Sequence, residues 1–337
     1  MTSSVPLSST APRATRSRAW TTWRYAASRL LQSFFVLWAA YTLSFLILYV
    51  LPSDPISIML NQGEQSMVDP AQVAALRAQY LLDQPLAVQY GVALWRTLHL
   101  DLGVSIQSGQ PVFDMLREAL PATALLTISA LTISLIVGVS VALAASTTRH
   151  PGLRWALMSL PSLGVSLPTF WIGLLLIQAF SFGLPWFPAM GNDGWASLVL
   201  PAITLAIPTA ATIAQVLTRS LTGVWRQPFI DAIRAKGLTR LRLLFVHVLP
   251  NSAIAVLTMT GVIVGNLLAG SVITETVFSR EGVGRLAQSA VLVKDIPVVQ
   301  GVVVLAAVIF VVVSLLVDVI YPLLDPRITR HRARALS

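Results

Sequence analysis

The chain has 337 residues, of which 55% are hydrophobic and 11% charged, against roughly 25% charged in an ordinary soluble domain. So few charges could not cover a soluble enzyme, and the absence of cysteine removes disulfides and thiolate-held metals. A net charge of +9, from 23 basic and 14 acidic residues, would suit nucleic acid only if it lay on a soluble basic face. Here the charges punctuate long apolar blocks, which makes the lipid bilayer the expected partner and argues against nucleic acid.

Residues 1–24, rich in Ser, Thr, Ala, Pro and Arg, read as a disordered basic tail. A membrane-crossing helix needs about 20 mainly apolar residues to span a core of ~30 Å. Leu30 to Leu51 has no charge and stops at Pro52. It is longer than the apolar core of a cleaved signal, about 7–15 residues, so it reads as an uncleaved anchor. Residues 52–121 form a predicted extracytoplasmic insertion of 70 residues, with a helix over Gln72 to Tyr80, able to cap a pore mouth. Five more apolar blocks follow: Ala122–Ser146, Ala156–Phe182, Leu198–Thr218, Ala253–Thr274 and Val298–Pro322. The third span carries Pro161 and Pro168, and the fourth Pro201 and Pro208. Such breaks are tolerated where neighbouring helices or water satisfy the freed carbonyls. The expected fold class is therefore all-α, a polytopic membrane protein with six transmembrane helices. Residues 147–155 and 183–197 are short connectors.

Charge sets the orientation. With the N-terminus inside, segments 1–29, 147–155, 219–252 and 323–337 hold 17 of the 23 basic residues. Inside, the acidic residues are Asp231 and Asp325, while Asp318 falls within the sixth span. This bias predicts N-in and C-in, with a permease core over 25–327 and a second basic cytoplasmic tail over 328–337.

The inside loop 219–252 is strongly patterned. Pro228 suits the first turn of a helix, where its missing N–H is not needed. Asp231 meets the positive end of the helix dipole. Phe229, Ile230 and Ile233 are expected to share one face, with Arg234 and Lys236 near the C-terminal end. Gly237 supplies a left-handed stop, and Thr239 can start a second helix running toward His247 and Leu249-Pro250. Two readings fit this helix-turn-helix. It is either an amphipathic anchor lying on the membrane or a docking element for a cytosolic partner.

Asp231-Ala232-Ile233, then Gly237, then His247-Val248-Leu249-Pro250 resembles the EAA loop of ABC importer permeases, with Asp231, Ile233 and His247 departing from its Glu, Ala and Ile. Arg234-Ala235-Lys236-Gly237 is similar to the dipeptide, oligopeptide and nickel permease branch. Leu51-Pro52-Ser53-Asp54-Pro55, Leu82-Asp83-Gln84-Pro85 and Asp101-Leu102-Gly103-Val104-Ser105 resemble strings of the same branch. So do Pro168-Thr169-Phe170-Trp171, Trp186-Phe187-Pro188 and Glu275-Thr276-Val277-Phe278. Glu281-Gly282-Val283-Gly284-Arg285 departs by Glu281 for Pro, and Asp318 to Tyr321 and Asp325-Pro326-Arg327 close the series. The resemblance covers roughly residues 25–330.

The resemblance implies a type I ABC importer permease in the inner membrane of a bacterium. It implies a homologous second permease, two cytosolic ABC ATPase subunits or domains, and an extracytoplasmic substrate-binding protein as partners. The chain has no GxxxxGK[ST] phosphate loop, so it is not expected to be an enzyme, and no cofactor is expected on it. ATP and Mg would sit on the ATPases. The coupling element implied is Pro228, Phe229, Ile230, Asp231, Ala232, Ile233, Arg234, Ala235, Lys236 and Gly237. The cargo expected is di- or oligopeptides, with nickel chelates or haem as alternatives by the same architecture.

Other polar residues have competing readings. An ionisable group inside a span is a functional candidate by default, yet Asp318 lies near the cytoplasmic end, where pairing with an Arg or water is favoured. Glu275 and Asp295 fall at the outer mouth, as a solvated rim or as contacts to binding protein or cargo. Asn266 and Gln300 are either helix–helix hydrogen bonders or, with Glu275, substrate-path residues. His247 has no second ligand at metal spacing, so no metal site is expected. An ion-coupled secondary transporter or channel would need ionisable groups at mid-membrane, and the spans lack them. A mere membrane anchor would leave the outside insertion and the proline-broken spans without purpose.

Overall fold

The computed structural model describes the backbone of residues 16–50 and 83–324, and side chains within 27–48 and 83–319. The predicted helix at Gln72 to Tyr80, the Leu51 to Pro55 and Asp325 to Arg327 strings and most of both tails lie outside the described residues. The elements are α1 (Arg16–Val50), α2 (Leu86–Leu98), α3 (Val112–Thr147), α4 (Pro151–Ser166), α5 (Thr169–Ile177), α6 (Ala196–Trp225), α7 (Pro228–Ala235), α8 (Arg240–Leu243), α9 (Leu249–Thr258), α10 (Thr260–Val277), α11 (Val283–Leu292) and α12 (Ile296–Leu324). Among the described residues there is no named strand, only an antiparallel bridge of Val104 with Pro111.

Three buried clusters follow one another along α3, the second and third of them shared with α6. At one end, Val112 and Leu116 pack with Val283, Ala290 and Val298. In the middle, Leu126 and Ala130 meet Leu205, Ala206, Ile213, Ile263 and Leu267. At the other end, Ala142 joins Leu217, Leu221, Ile230, Leu243, Leu244 and Val248. Close approach of α3 to α6 rests on Gly138, where an added Cβ would lie 2.8 Å from the Ala210 carbonyl oxygen. Small residues at the contact let membrane helices approach without a hydrophobic driving force.

These clusters also settle the crossings. α9 leaves the Val248 cluster, α10 passes the middle cluster at Ile263 and Leu267, and Phe278 ends against Ile177 and Leu200. Hence α9 and α10 together make one crossing, broken at Met259, where the sequence predicts a single span. The third predicted span is also broken: α4 and the helix continuing from α5 to Gly183 meet at 98°. The cause is Pro168, whose ring disfavours a helical residue before it. Leu167 is accordingly extended, at φ −83° and ψ 131°. Counting these two as one crossing each, with α1, α3, α6 and α12, gives six among the described residues.

α1 and α12 run antiparallel. Arg29 pairs with Asp318 at 2.7 Å at one end, and Gln300 Nε2 donates to the Tyr41 carbonyl at 3.2 Å toward the other. Val298 belongs to the cluster opposite α7, so the Arg29–Asp318 end lies on the α7 side. The two described chain ends therefore share the face of α7, in agreement with the charge bias. The expected pairing of Asp318 with an arginine is realised.

The second predicted span begins ten residues early, since α3 already starts at Val112. The helix predicted to end near Leu249-Pro250 instead continues. Leu244–Val248 form π-helical turns that lead into α9, with Pro250 in its first turn. A π-turn loosens the ladder where proline can neither donate nor fit against the carbonyl four residues back. Asn251 Nδ2 donates to the His247 carbonyl at 2.6 Å in the same turn.

Candidate functional site

α7 follows the sequence closely. Gln227 is an extended N-cap, Pro228 occupies the first turn, Asp231 lies in that turn and Arg234 in the last. Asp231 and Arg234 approach to 3.6 Å on the exposed surface, a contact worth little to stability. Gly237 has φ +82°, and its N–H donates to the Arg234 carbonyl at 2.9 Å. A Cβ built there would meet nothing within 4 Å. The constraint on Gly237 is thus the left-handed backbone alone, about 1–2 kcal/mol for another residue. Thr239 caps α8, its hydroxyl accepting from Arg242 N at 3.4 Å.

The apolar residues of α7 divide in a way the sequence reading did not separate. Ile230 is fully buried among Ala142, Leu217, Leu221, Leu243, Leu244 and Val248, and Ile233 packs at the cluster's edge. Burying one isoleucine contributes about 1.5–3 kcal/mol. Phe229 is 36% exposed, and Leu241, Phe245 and Val246 are exposed by 55% or more. Pro228, Ala232, Ala235, Lys236, Arg240 and Arg242 are exposed as well. Ile230, with Ile233 at the cluster's edge, therefore fastens α7 to α3, α6, α8 and the π-turn, while apolar knobs with basic neighbours face outward. Because Ala142 belongs to α3, the cluster beneath α7 includes the second span as well as α6.

Asn266, Glu275 and Gln300 lie on other parts of the molecule from α7. Asn266 sits on an exposed face of α10 with Val262, Gly265 and Ala269. Gln300 bridges α12 to α1 through Tyr41. Glu275 is not on a solvated rim: it is 1% exposed. Its Oε1 accepts from Thr123 Oγ1 at 2.6 Å, and its Oε2 from Arg285 N at 3.1 Å. The carboxylate thus caps the N-terminus of α11, where orphan N–H groups and the helix dipole favour negative charge. A Cβ on Gly282 would lie 2.4 Å from the Glu275 carboxyl carbon, and one on Gly284 2.6 Å from Val272 Cα. Close approach therefore explains the Gly282-Val283-Gly284 string.

Two further residues hold places that the sequence reading did not give them. Asp295, expected at the rim, is 3% exposed and accepts from Ser105 Oγ at 2.5 Å and from Ile106 N at 3.2 Å. It ties the loop before α3 to the start of α12. Arg280 is 2% exposed, and its Nη1 donates to the Ser197 carbonyl at 3.0 Å and the Gly191 carbonyl at 3.1 Å. Ser197 lies four residues before Pro201, so its carbonyl has no helical partner. Arg280 supplies one. Burial pushes its guanidinium below the ordinary arginine range, and the nearby Glu275 carboxylate opposes that shift. The Pro201 signal was legible, but its partner 79 residues on was not.

The described residues thus form a bundle of membrane-length helices that carries an outward-facing helix-turn-helix at one end. Residues 134–330 match the family described as binding-protein-dependent transport system inner membrane component. The chain is 36% identical over 308 residues to a protein of Brucella suis biovar 1 whose name places it in a peptide transport system as permease, covering 89% of this chain and 97% of that one. It is 34% identical over 307 residues to the glutathione transport system permease protein GsiC of Salmonella typhimurium, covering 90% and 98%. The fold is similar to a chain of the inward-facing MetNI methionine ABC transporter, with TM-score 0.53 and 17% identity over 63% of this chain and 96% of that one. The chain belongs to the binding-protein-dependent ABC importer permeases, and it is a multi-pass protein of the inner membrane. Membership implies ATPase and substrate-binding partners. Among the described residues no His, Cys, Asp and Glu cluster could hold a metal ion.

Proposed function

We propose that this permease carries small peptides and that α7 is the element through which cytosolic ATPases move it. The cargo reading is supported by the relatives named for peptide and glutathione transport. The coupling reading rests on one observation: Ile230 fastens α7 to the helix ends while Phe229 and its neighbours stay exposed. A nucleotide-driven displacement at Phe229 is then transmitted into α3, α6 and α9 through a packed contact, because close-packed interiors transmit strain.

The working assembly is two homologous permeases, two ATPase subunits or domains and an extracytoplasmic binding protein. ATP brings the ATPases together, and the path opens alternately outward and inward. This chain holds the path and leaves hydrolysis to its partners. Of the three residues considered for the path, Asn266 on the exposed face of α10 is the one we assign to it. Glu275 and Gln300, engaged in helix-joining hydrogen bonds, frame it.

Gly237→Leu tests the coupling. A β-carbon there meets nothing within 4 Å, so the variant should insert normally while the left-handed turn is strained by about 1–2 kcal/mol. Peptide uptake and ATPase stimulation by loaded binding protein should fall together. Full survival of both would remove α7 from the mechanism.

A further inference from the structure

The break in the third crossing leaves backbone groups unpaired. α4 ends at Ser166 and α5 begins at Thr169, with Leu167 and Pro168 extended between them. Pro168 has no N–H, so the Gly164 carbonyl four residues before it loses its helical donor. Leu167 N makes the last bond of one helix, to the Leu163 carbonyl at 3.2 Å, and Trp171 N the first of the next, to the Pro168 carbonyl at 3.0 Å. Among the described residues no group donates to the carbonyls of Gly164, Val165, Ser166 and Leu167. The carbonyls of a helix's last turn point along its axis, and the 98° bend carries α5 out of their way.

This break lies at mid-membrane. A Cβ on Gly164 would lie 2.8 Å from Ala211 Cβ and 3.5 Å from the Ile207 carbonyl oxygen, which flank the middle of the 30-residue α6. Ser162, Val165, Ser166, Leu167 and Pro168 are nevertheless exposed on the surface of the chain. Hydrocarbon has no donor for a bare carbonyl, so irregular backbone at this depth occurs only inside protein or along water. An apolar helix of another chain laid over the break would leave the four acceptors unpaired, whereas water reaches them in any geometry. The outer arm also adjoins α10, which carries Asn266. A Cβ on Gly173 would lie 3.3 Å from Val277 and 3.2 Å from Phe278.

We propose that the break from Gly164 to Thr169 lines the water-filled translocation path, and that its free carbonyls form a mid-membrane station for hydrogen-bond donors on the passing cargo. A peptide backbone, with an N–H on each residue except proline, is cargo of that kind. The assignment rests on the peptide reading for its ligand and on the break alone for its place.

The chain has no cysteine, so an introduced thiol is unique in it. Ser166→Cys and Leu167→Cys are each assembled with the partner subunits in nanodiscs. The reference is Phe35→Cys, near the middle of the α1 crossing at a position 60% exposed. Each importer is treated with a charged methanethiosulfonate, without nucleotide and with ATP, and labelling is read from the mass of this chain. The thiolate is the reactive form, and apolar surroundings suppress it. Both break positions should therefore label at least about tenfold faster than Phe35→Cys in one of the two states, the factor that one unit of thiol pKa gives. Labelling no faster than Phe35→Cys in both states, in importers that assemble and melt normally, overturns the proposal. Labelled Ser166→Cys should then lose the peptide uptake that the unlabelled variant shows in proteoliposomes, and uptake retained after full labelling also overturns it. Fast labelling in an importer whose native chain takes up no peptide would count against the cargo reading only.

Discussion

Thr123 Oγ1 donates to Glu275 Oε1 at 2.6 Å and accepts from Val283 N at 2.8 Å, so a single hydroxyl joins α3, α10 and α11. Thr123→Val keeps the shape but leaves a buried carboxylate oxygen and an N–H without that partner. The expected loss is about 2 kcal/mol or more, read as thermal melting of the purified chain in nanodiscs. Thr123→Ser keeps the hydroxyl and should lose far less.

Gly282 and Gly284 are needed for different reasons. The Cβ of Gly282→Ala would strike the Glu275 carboxylate, whereas that of Gly284→Ala would strike the Val272 backbone as well. Each substitution should destabilise by about 1–3 kcal/mol, as overpacking does. In a Glu275→Ala background the Gly282→Ala cost should largely disappear, and the Gly284→Ala cost should persist. Equal relief of both in a double-mutant cycle would show that the carboxylate is not the specific obstacle.

Arg280 should matter most when Pro201 is present. Arg280→Met removes the donor to the Ser197 carbonyl, and hydrogen bonds from charged groups contribute about 1.5–3 kcal/mol. Pro201→Ala supplies a backbone N–H to that carbonyl. Melting curves of the single and double variants should therefore show a smaller Arg280→Met cost in the Pro201→Ala chain.

The periodic and local features of the fold were legible in the sequence. Runs of apolar residues located the crossings, and Pro228, Thr239 and Gly237 marked the turns of the inner loop through local chemistry. What the sequence hid was long-range. Glu275 and Asp295 read as a solvated rim because a carboxylate near an apolar block's end looks exposed, yet their partners, Thr123 and Ser105, lie more than a hundred residues away. Phe229 and Ile230 look equivalent along the chain. Only the arrival of Ala142, Leu217 and Leu243 decides which of them faces inward.

Ile230 and Phe229 also separate stability from coupling. Ile230→Ala should cost about 2–4 kcal/mol by opening a cavity in the cluster beneath α7. Phe229→Ala should lie within about 0.5 kcal/mol of the native chain, as exposed substitutions usually do.

The most direct measurement is ATP hydrolysis and peptide uptake by the reconstituted importer carrying Phe229→Ala, alongside the melting of the same preparation. Force transmission through α7 predicts an unchanged melting temperature, with binding-protein-stimulated hydrolysis and uptake both reduced about tenfold, near the 1–3 kcal/mol typical of coupling between sites. Native uptake and stimulation in a folded, assembled Phe229→Ala importer would contradict it.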